Sequence, residues 1–469
     1  MNSGAIKLSD ISSSMRFDGG FHLLKGNVFY RLIKTKKHKN LLDYSKDIFT
    51  AGRSKRIHTT KKFGIPYLSN SDIASQNPFL GCKYVSSKFS SDTKSLLQRG
   101  MVLTGRVGAI GHTSIVTKFY EEFRSLGSDN VIRIVTKDMS DSYFLYAFMS
   151  SSVGKALIER LASGGVQPYI NEEMLGSIPV PEFGEQKKNE IINLISEACN
   201  LRDEANNLLK KSEEQLLQEL NFKDLSEDDY EHFGTSSFKR KLSCFTIKNN
   251  SSLIVSLNAF NHSEKLRKMT SYVKKNSNWV PLINLLSEEG FFSTGAFPRL
   301  EIDSLKSIKL INQSDIFNIK IEGKNISRRN VRTDNLVQYG EILIAGVGTL
   351  GENETFCRTI FANEELEGQL VSGEFIRMKT NPKCPSGYLF AWLSCEYGFR
   401  MIRGTHSGTK LCRPIHQLLA EIPVPIIDSK KMQTIHRTIC SAHSLRQEAY
   451  VKESKAISII ENQVSAWQK

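Results

Sequence analysis

The stretch VLTGRVGAIG at Val102–Gly111 decides the fold, because it occurs a second time as ILIAGVGTLG at Ile342–Gly351. The two copies lie 240 residues apart, and the arginine of the first copy, Arg106, is replaced by Gly346 in the second. The positions that match are Leu103/Leu343, Val107/Val347, Gly108/Gly348 and Gly111/Gly351. Similarity between segments so far apart indicates a duplicated structural unit.

Further segments repeat in the same order, with offsets between 240 and 244 residues. They are FTAGRSKR (49–56) and FSTGAFPR (292–299), FLYAFMSSSVG (144–154) and YLFAWLSCEYG (388–398), SGG (163–165) and SGT (407–409), IPVP (178–181) and IPVP (422–425), and LR-x-EA (201–205 and 445–449). A weaker match joins RFDGGFH (16–22) to SLNAFNH (256–262). The duplicated unit therefore covers about half the chain, with small insertions that fall in loops.

The glycines of VLTGRVGAIG first suggest a loop that holds phosphate. Such a loop needs a Lys-Ser/Thr pair or the start of a helix after its glycines, whereas this one is followed by the β-rich HTSIV. We therefore predict a strand-turn-strand element in each copy, in which Gly108 and Gly111 allow backbone turns that side chains would obstruct.

Each unit has the composition of mixed α/β structure, with short apolar runs broken by Gly, Asn, Ser and Pro. Strands are predicted at Met101–Thr104 and Glu341–Ala345. An aromatic-rich helix is predicted to pack on them, over Ser142–Arg160 in one unit and Gly387–Arg403 in the other. The prolines of IPVP then disfavour helix and predict an extended exit.

A long helix is predicted after each IPVP, over Glu185–Leu220 and Lys430–Trp467. Apolar and small residues recur at spacings of three and four between charged ones, which is typical of a coiled coil. A helix of about 36 residues would be on the order of 54 Å long. The residues predicted to face a partner helix are Ile191, Leu194, Ala198, Leu201, Ala205, Leu208, Ile435, Ile439, Ala442 and Ala449.

The predicted fold is therefore a tandem of mixed α+β domains separated by two long antiparallel coiled-coil helices, with an internal pseudo-two-fold repeat. The predicted boundaries are 1–184 for the first domain, 185–222 for the first helix, 223–428 for the connector and second domain, and 429–469 for the second helix. The polar segment 221–247 is interpreted as the connector.

Composition favours a polyanionic partner, since 63 Lys and Arg against 49 Asp and Glu give a net charge of +14 and a pI near 9.2. The sequence lacks a signal-peptide pattern and a run of eighteen apolar residues, so no membrane association is predicted. The eight cysteines form no CxxC pair, which predicts neither a metal site nor a disulfide framework. We expect a cytoplasmic protein with reduced thiols.

The ordered set VLTGRVGAIG, SGGVQPYI, MLGSIPVPEFGEQ and a long helix, followed by ILIAGVGTLG, SGTKLCRPI, LLAEIPVP and a second long helix, resembles the specificity subunit of type I restriction-modification systems. The resemblance covers nearly the whole chain and depends on the order of the motifs. Gln186 follows the first IPVP, but Lys430 stands at the equivalent place in the second copy, with Gln433 three residues later.

The resemblance implies two target-recognition domains, each reading half of a split site in double-stranded DNA. It implies that the helices set the spacing and dock two DNA adenine-N6 methyltransferase subunits, while a separate motor-nuclease subunit cleaves. The chain itself would be non-catalytic and without a cofactor, with S-adenosylmethionine and ATP on the partner subunits. Because a symmetric dimer reads a palindrome, two diverged units in one chain predict an asymmetric, bipartite target.

Basic clusters are the candidates for phosphate contact, and Arg, Lys, Asn or Gln side chains are the candidates for reading base edges. The predicted DNA-binding residues are Arg53, Lys55, Arg56, Lys61, Lys62, Ser69, Asn70 and Arg106 in the first unit and Arg299, Lys324, Asn325, Arg328, Arg329 and Arg332 in the second. A further basic run comprises Lys34, Lys36, Lys37 and Lys39. Gln167, Tyr169, Lys410 and Arg413 are interpreted as parts of loops that cap the domains.

Two enzymatic alternatives have partial motifs in the sequence. A methyltransferase would need an N/D-P-P-Y/F motif, but only NPF (77–79) and NPK (381–383) occur. Asp315 with Glu322 and Lys324 resembles the D…ExK core of a metal-dependent nuclease. The sequence therefore leaves two hypotheses, a DNA-specificity subunit and a metal-dependent nuclease or recognition subunit of another phage-defence system.

Overall fold

The computed structural model describes residues 6, 8, 11–12, 15, 17, 19–53, 55–86, 93–108, 110–162, 168–233, 244–247, 252–304, 306–329 and 331–467. The chain forms two compact units. Unit 1 comprises residues 1–203 and 448–469, and unit 2 comprises residues 204–447. The division falls within two long helices, so each unit contains a segment of both.

The first part of the chain, up to IPVP, alternates short strands and helices. Its helices are α1 (Gly19–His22), α2 (Lys25–Lys34), α3 (Leu41–Tyr44), α4 (Asn70–Ile73), α5 (Lys118–Glu122), α6 (Met139–Ser150), α7 (Ser152–Leu161) and α8 (Glu172–Gly176). Its strands are β1 (His38–Asn40), β2 (Ser45–Thr50), β3 (His58–Thr59), β4 (Gly64–Leu68), β5 (Lys83–Ser86), β6 (Val102–Gly105), β7 (Thr113–Ile115), β8 (Leu126–Gly127), β9 (Val131–Thr136) and β10 (Pro179–Pro181).

The second part has a closely similar order of elements. Two long helices, α9 (Glu185–Leu220) and α15 (Ser429–Ala466), precede and follow it. Its other helices are α10 (Ser252–Val255), α11 (Glu264–Asn276), α12 (Ser386–Ser394), α13 (Glu396–Arg403) and α14 (His416–Ala420). Its strands are β11 (Trp279–Pro281), β12 (Leu286–Phe292), β13 (Ser307–Ile311), β14 (Lys324–Ser327), β15 (Ile342–Ala345), β16 (Thr359–Phe361), β17 (Leu370–Val371), β18 (Phe375–Thr380), β19 (His406–Ser407), β20 (Arg413–Pro414) and β21 (Pro423–Pro425).

The two main sheets share a strand order between the units, although β3 adds a strand to the second sheet of unit 1 and β19-β20 form an additional pair in unit 2. The central sheet is antiparallel in both, with order β2-β9-β6-β7 in unit 1 and β12-β18-β15-β16 in unit 2. A second sheet places an antiparallel strand on one side of its middle strand and a parallel strand on the other, as β5-β4-β8 and as β14-β13-β17. Each IPVP forms a short strand that pairs antiparallel with an early strand, β10 with β1 and β21 with β11. The sequence repeat is therefore also a repeat of strand connections.

The predicted strand-turn-strand is present in unit 1, where β6 and β7 pair antiparallel around the glycine loop. In unit 2, β15 pairs with β16, which begins only at Thr359. The second copy therefore keeps the strand pair but has a longer loop.

The predicted continuous aromatic helices are wrong in both units. Ser151 adopts an extended conformation between α6 and α7, and its Oγ accepts a hydrogen bond of 3.1 Å from the Gly154 N–H. The serine thus caps a new helix, which is the usual role of a hydroxyl at this position. In unit 2, Cys395 is likewise extended and separates α12 from α13.

The core of each unit lies between its central sheet and its aromatic helices. In unit 1 it includes Ile132, Ile134, Phe144 and Phe148, and side chains of both long helices join it. In unit 2 it includes Ile342, Ile344, Tyr388 and Trp392. Full burial of a large apolar side chain stabilises a fold by about 1.5–3 kcal/mol, which explains why the apolar strand residues match between the repeats.

The long helices run antiparallel where segments of both lie in one unit. In unit 1 the partners of Lys187, Glu190 and Glu197 are Gln463, Lys455 and Lys452, so partner numbers fall as residue numbers rise. In unit 2, Asn206 accepts a hydrogen bond from Arg446, and Glu219 pairs with Lys431.

The residues predicted to face a partner helix are buried or half-buried. Ile191, Ala198, Ala205, Ile435, Ile439, Ala442 and Ala449 are buried, while Leu194, Leu201 and Leu208 are partly exposed. Residues spaced three or four apart lie on the same face of a helix, so the buried residues of each long helix form one apolar face.

Candidate nucleic-acid interface

The glycine loop is held to the same neighbouring segment in both units. The Gly108 N–H donates to the Pro168 carbonyl at 3.3 Å, and the Gly348 N–H donates to the Cys412 carbonyl at 3.2 Å. These two contacts are related by the offsets found in the sequence. The repeat therefore preserves a contact between segments about sixty residues apart along the chain.

The two matched glycines are required for different reasons. Gly108 has a φ of +79°, a conformation that side chains disfavour. At Gly348 the limit is space, because an added Cβ would lie 2.9 Å from the Cβ of Phe356. The two glycines match in sequence, but backbone conformation requires the first and lack of space requires the second.

In each unit, an amide side chain two residues after the middle strand of the second sheet is hydrogen-bonded to the glycine loop. In unit 1, the Asn70 Nδ2 donates to the Val107 carbonyl at 2.9 Å. In unit 2, Gln313 both donates to the Val347 carbonyl at 3.1 Å and accepts from the Val347 N–H at 3.3 Å. Asn70, predicted to read bases, thus uses one of its amide hydrogens within the protein.

Ser69, another predicted base reader, caps α4. Its main-chain N–H and its hydroxyl both donate to the Asp72 carboxylate, at 2.7 and 2.6 Å. The sequence Ser69-Asn70-Ser71-Asp72 carries the S-x-x-D pattern of a helix start, which the prediction overlooked. The side chain of Ser69 therefore has a clear local structural role.

Arg53 and Arg56 converge on one carboxylate, that of Asp129. An Arg56 Nη2 pairs with Asp129 Oδ1, and the Arg53 Nε lies 3.7 Å from Asp129 Oδ2. The Arg56 guanidinium also lies 5.1 Å from the centroid of the Tyr67 ring, within the range of a cation–π contact. Burial raises the pKa of Tyr67, and nearby Arg56 opposes that shift.

Arg106 is half-buried and its main chain joins three segments. Its N–H donates to the Asn130 carbonyl at 2.8 Å, and its carbonyl accepts from the Ile170 N–H at 3.0 Å. Burial disfavours the charged form of nearby Glu172, but the Thr50 hydroxyl and Arg106 contribute to lowering its pKa overall. Arg106 therefore lies beside a carboxylate that is held in its charged form.

In unit 2, the predicted basic residues lie along β14 and the segments next to it. The Ser327 N–H donates to the Leu300 carbonyl at 2.8 Å, which brings Arg299 to this edge. Lys324 pairs with Glu301 at 2.5 Å, and Arg332 pairs with Asp334 at 3.0 Å. The remaining predicted residues of this unit, Asn325, Arg328 and Arg329, are exposed.

The other predicted basic residues are exposed on the surface of unit 1. Lys55, Lys61 and Lys62 lie in and before the turn that leads into β4. Of the early lysine run, Lys37 and Lys39 both pair with Glu182. Tyr169, Lys410 and Arg413 are also exposed, whereas Gln167 lies outside the described residues.

Sequence reasoning missed a buried arginine in each central sheet. Arg133 on β9 donates to the carbonyls of Ser128 and Val131, at 3.0 and 2.6 Å. Arg377 on β18 donates to the carbonyls of Asn335 and Leu336, both within 3.0 Å, and to the Glu341 carboxylate. The offset of 244 residues between them was the available signal.

Two residues of the nuclease hypothesis, Asp315 and Lys324, have other partners in the structure. Across the described ranges, no three His, Cys, Asp or Glu side chains are grouped to hold a metal ion. Lys324 is paired with Glu301, and Asp315 accepts a hydrogen bond from the Ser314 hydroxyl at 2.9 Å.

Within the same described ranges, no helix combines the length and apolar character needed to cross a bilayer.

Comparison with known proteins gives likenesses among solved structures. No family model matches the chain, and no curated protein matches it significantly. A crystal structure of the type I restriction-modification S subunit from M. genitalium is 12% identical, covering 92% of this chain and 94% of that one, with a TM-score of 0.33. The HsdS subunit from Thermoanaerobacter tengcongensis is 10% identical over 90% and 96% of the two chains, with a TM-score of 0.23.

A third similar structure concerns complex assembly and conformational transition of the type I restriction-modification system. It is 10% identical, covers 92% of this chain and 96% of that chain, and has a TM-score of 0.25. Type I specificity subunits, the family that the repeated motifs resemble, are thus among the structural neighbours of this chain.

Proposed function

We propose that this chain is the non-catalytic DNA sequence-specificity subunit of a type I restriction-modification complex. The observation that carries the proposal is that one chain builds the same two sheets and the same fastened loop twice, with different side chains at matched positions. A duplicated reader with diverged side chains suits a target made of two different halves.

The matched arginines support this interpretation. Arg56 and Arg299 occupy matched places. Arg56 precedes Ile57, whose carbonyl accepts a hydrogen bond from the N–H of Ser86, the last residue of β5. Arg299 precedes Leu300, whose carbonyl accepts from the N–H of Ser327, the last residue of β14. Both are exposed, and arginine is the residue that most often contacts guanine in the major groove. The residues around them differ, which is expected if the two units read different sequences.

The long helices are proposed to set the distance between the half-sites and to dock two DNA adenine-N6 methyltransferase subunits. Each unit contains antiparallel segments of both helices, joined by ion pairs and buried small residues. S-adenosylmethionine and ATP would be bound by the partner subunits, including a motor-nuclease subunit where one exists. The target would then have a spacer of fixed length and free sequence.

The proposal is tested by reconstituting the chain with DNA adenine-N6 methyltransferase subunits of a type I system and mapping N6-methyladenine on genomic DNA. We expect methylation of one bipartite, asymmetric motif, only when both proteins are present. Methylation without such a motif would contradict the proposal. So would metal-dependent cleavage by this chain alone that Glu322→Ala abolishes.

A further inference from the structure

Asp129 is placed between two arginines that are predicted to contact DNA. Its side chain is only 11% exposed, whereas the side chains of Arg56 and Arg53 are 34% and 88% exposed. The carboxylate is thus fixed by the fold, and the arginines reach it from the solvent side. Tyr67 supports Arg56 from a second direction.

Unit 2 lacks this carboxylate at the matched position. Asp129 lies two residues before β9, and Gly373 lies two residues before β18. The neighbouring contact is conserved, since Asn130 and Glu374 both offer a main-chain carbonyl to the glycine-loop strand, to Arg106 and to Gly346. Arg299, the counterpart of Arg56, therefore has a glycine where Arg56 has an acid.

We propose that Asp129 is a specificity-determining residue of unit 1, which holds Arg56 for contact with a base edge and weakens its attraction to phosphate. This inference rests on the proposed function. A fixed carboxylate beside an arginine opposes the approach of phosphate oxygens, because like charges repel. It also fixes the direction of the guanidinium, and a fixed donor fork discriminates between base edges better than a mobile one.

The substitution Asp129→Asn keeps the shape of the side chain and removes its charge. Arg53 and Arg56 then become available to phosphates, so affinity for random-sequence duplex rises and the salt dependence of binding steepens by about one in log–log slope. Discrimination at the half-site of unit 1 falls by about tenfold, because the guanidinium is no longer held for a bidentate contact with a base edge. The half-site of unit 2 is read as before.

The experiment uses the complete complex with its methyltransferase and measures binding at several salt concentrations. The duplexes carry the mapped motif, the motif with one or the other half-site replaced, or random sequence. The variants are Asp129→Asn, Arg56→Ala and the double variant, with Lys275→Ala as an exposed-lysine control on α11. Asp129→Gly, which installs the residue of unit 2, serves as a second variant if the amide destabilises the fold. Thermal unfolding and the methylation pattern at the half-site of unit 2 verify that each variant is folded.

The outcomes separate this inference from the proposed function. Steeper salt dependence and lost discrimination at one half-site for Asp129→Asn support the role of Asp129. The double variant should largely reverse the steeper salt dependence, because Arg56 no longer contacts phosphate, while the discrimination stays lost. Weaker binding by Arg56→Ala with no change by either Asp129 variant would overturn that role and leave the proposed function standing. A wild-type complex that binds the mapped motif and random sequence equally would overturn both.

Discussion

Arg133 and Arg377 occupy the same position of the central sheet in the two units, opposite Leu103 and Leu343, yet their sets of hydrogen-bond partners differ. Arg377 is paired with the Glu341 carboxylate at 2.9 Å, and both side chains are 1% exposed. In unit 1, Met101 stands where Glu341 stands in unit 2, and Arg133 donates to main-chain carbonyls including those of Ser95 and Gly127. Both buried arginines thus donate to main-chain carbonyls, and Arg377 also pairs with a carboxylate at a position where unit 1 has a methionine.

This difference shows how the duplicated units have diverged. The order of the strands in the two main sheets is kept. The side chains and main-chain groups that bind the buried arginine and the glycine loop differ between the units. A residue that matches between the repeats can therefore have different partners, so an energy measured in one unit does not transfer to the other.

The largest effect is expected for Glu341→Met, which gives unit 2 the residue of unit 1. It removes the carboxylate from a buried arginine, and leaving a buried charge without its partner costs about 3–5 kcal/mol. Urea unfolding of unit 2 measures the loss. Glu301→Gln, which breaks the exposed pair with Lys324, is the matched control and should cost less than about 1 kcal/mol.

The double variant Glu341→Met/Arg377→Met tests the cause. Replacing both members of a buried pair by apolar side chains is often close to neutral, so the double variant should recover much of the lost stability. A double variant as unstable as Glu341→Met would show that the arginine's carbonyl contacts, and not the charge, dominate.

A smaller effect is expected from the amides that fasten the glycine loops. Gln313→Leu removes two hydrogen bonds to Val347 and should destabilise unit 2 by about 1–3 kcal/mol. Asn70→Leu removes one bond to Val107 and should cost about 1 kcal/mol. Urea unfolding and amide hydrogen exchange near each loop measure both; a larger loss for Asn70→Leu would reverse the expected order.

The repeat made these loops predictable, but no comparable pattern predicted the hydrogen bonds that hold them. The match of Gly108 with Gly348 follows from an offset that can be counted along the chain. Asn70 contacts Val107 in unit 1, and Gln313 contacts Val347 in unit 2. Asn70 and Val107 lie 37 residues apart along the chain. Side chains that reach a main-chain atom far along the chain leave no local pattern.

The candidate interface was predictable to a similar extent. Exposed basic clusters follow from composition and spacing, and all the arginines of unit 2 predicted to bind DNA are exposed. The roles of Ser69 and Asp129 depend on tertiary or capping contacts. Asp129 in particular is 73 residues from Arg56, so only the fold brings the two together.

The smallest effect expected is a change in the pH dependence of the stability of unit 2. It arises from His443, which matches Cys199 of unit 1 at an offset of 244 residues. Burial lowers the pKa of His443 well below its usual value, so the folded protein holds it neutral. In the unfolded chain, His443 takes up a proton below about pH 6.5. The stability of the fold that depends on neutral His443 is therefore fully present above that pH and is lost as the pH falls. Burial raises the pKa of Cys199 to about 12, so that thiol stays protonated over the same range.

His443→Cys should therefore reduce the loss of stability of unit 2 between pH 7.5 and 5.5. Part of the loss should remain, since burial also lowers the pKa of His406. The buried Trp392 reports on unit 2 by fluorescence in a Trp279→Phe/Trp467→Phe background. An unchanged pH dependence after the substitution would show that His443 is protonated equally in both states.

The central claim is that each unit reads its own half of a bipartite DNA site, and the most direct measurement is the methylated motif of unit-specific variants. Arg53→Ala/Arg56→Ala and Arg299→Ala/Arg328→Ala would each be assembled with the methyltransferase and mapped across a genome. We predict that the first variant loses discrimination in one half of the motif and the second in the other half, with spacer length unchanged. Loss of both halves by either variant, or of neither half by both, would contradict the claim.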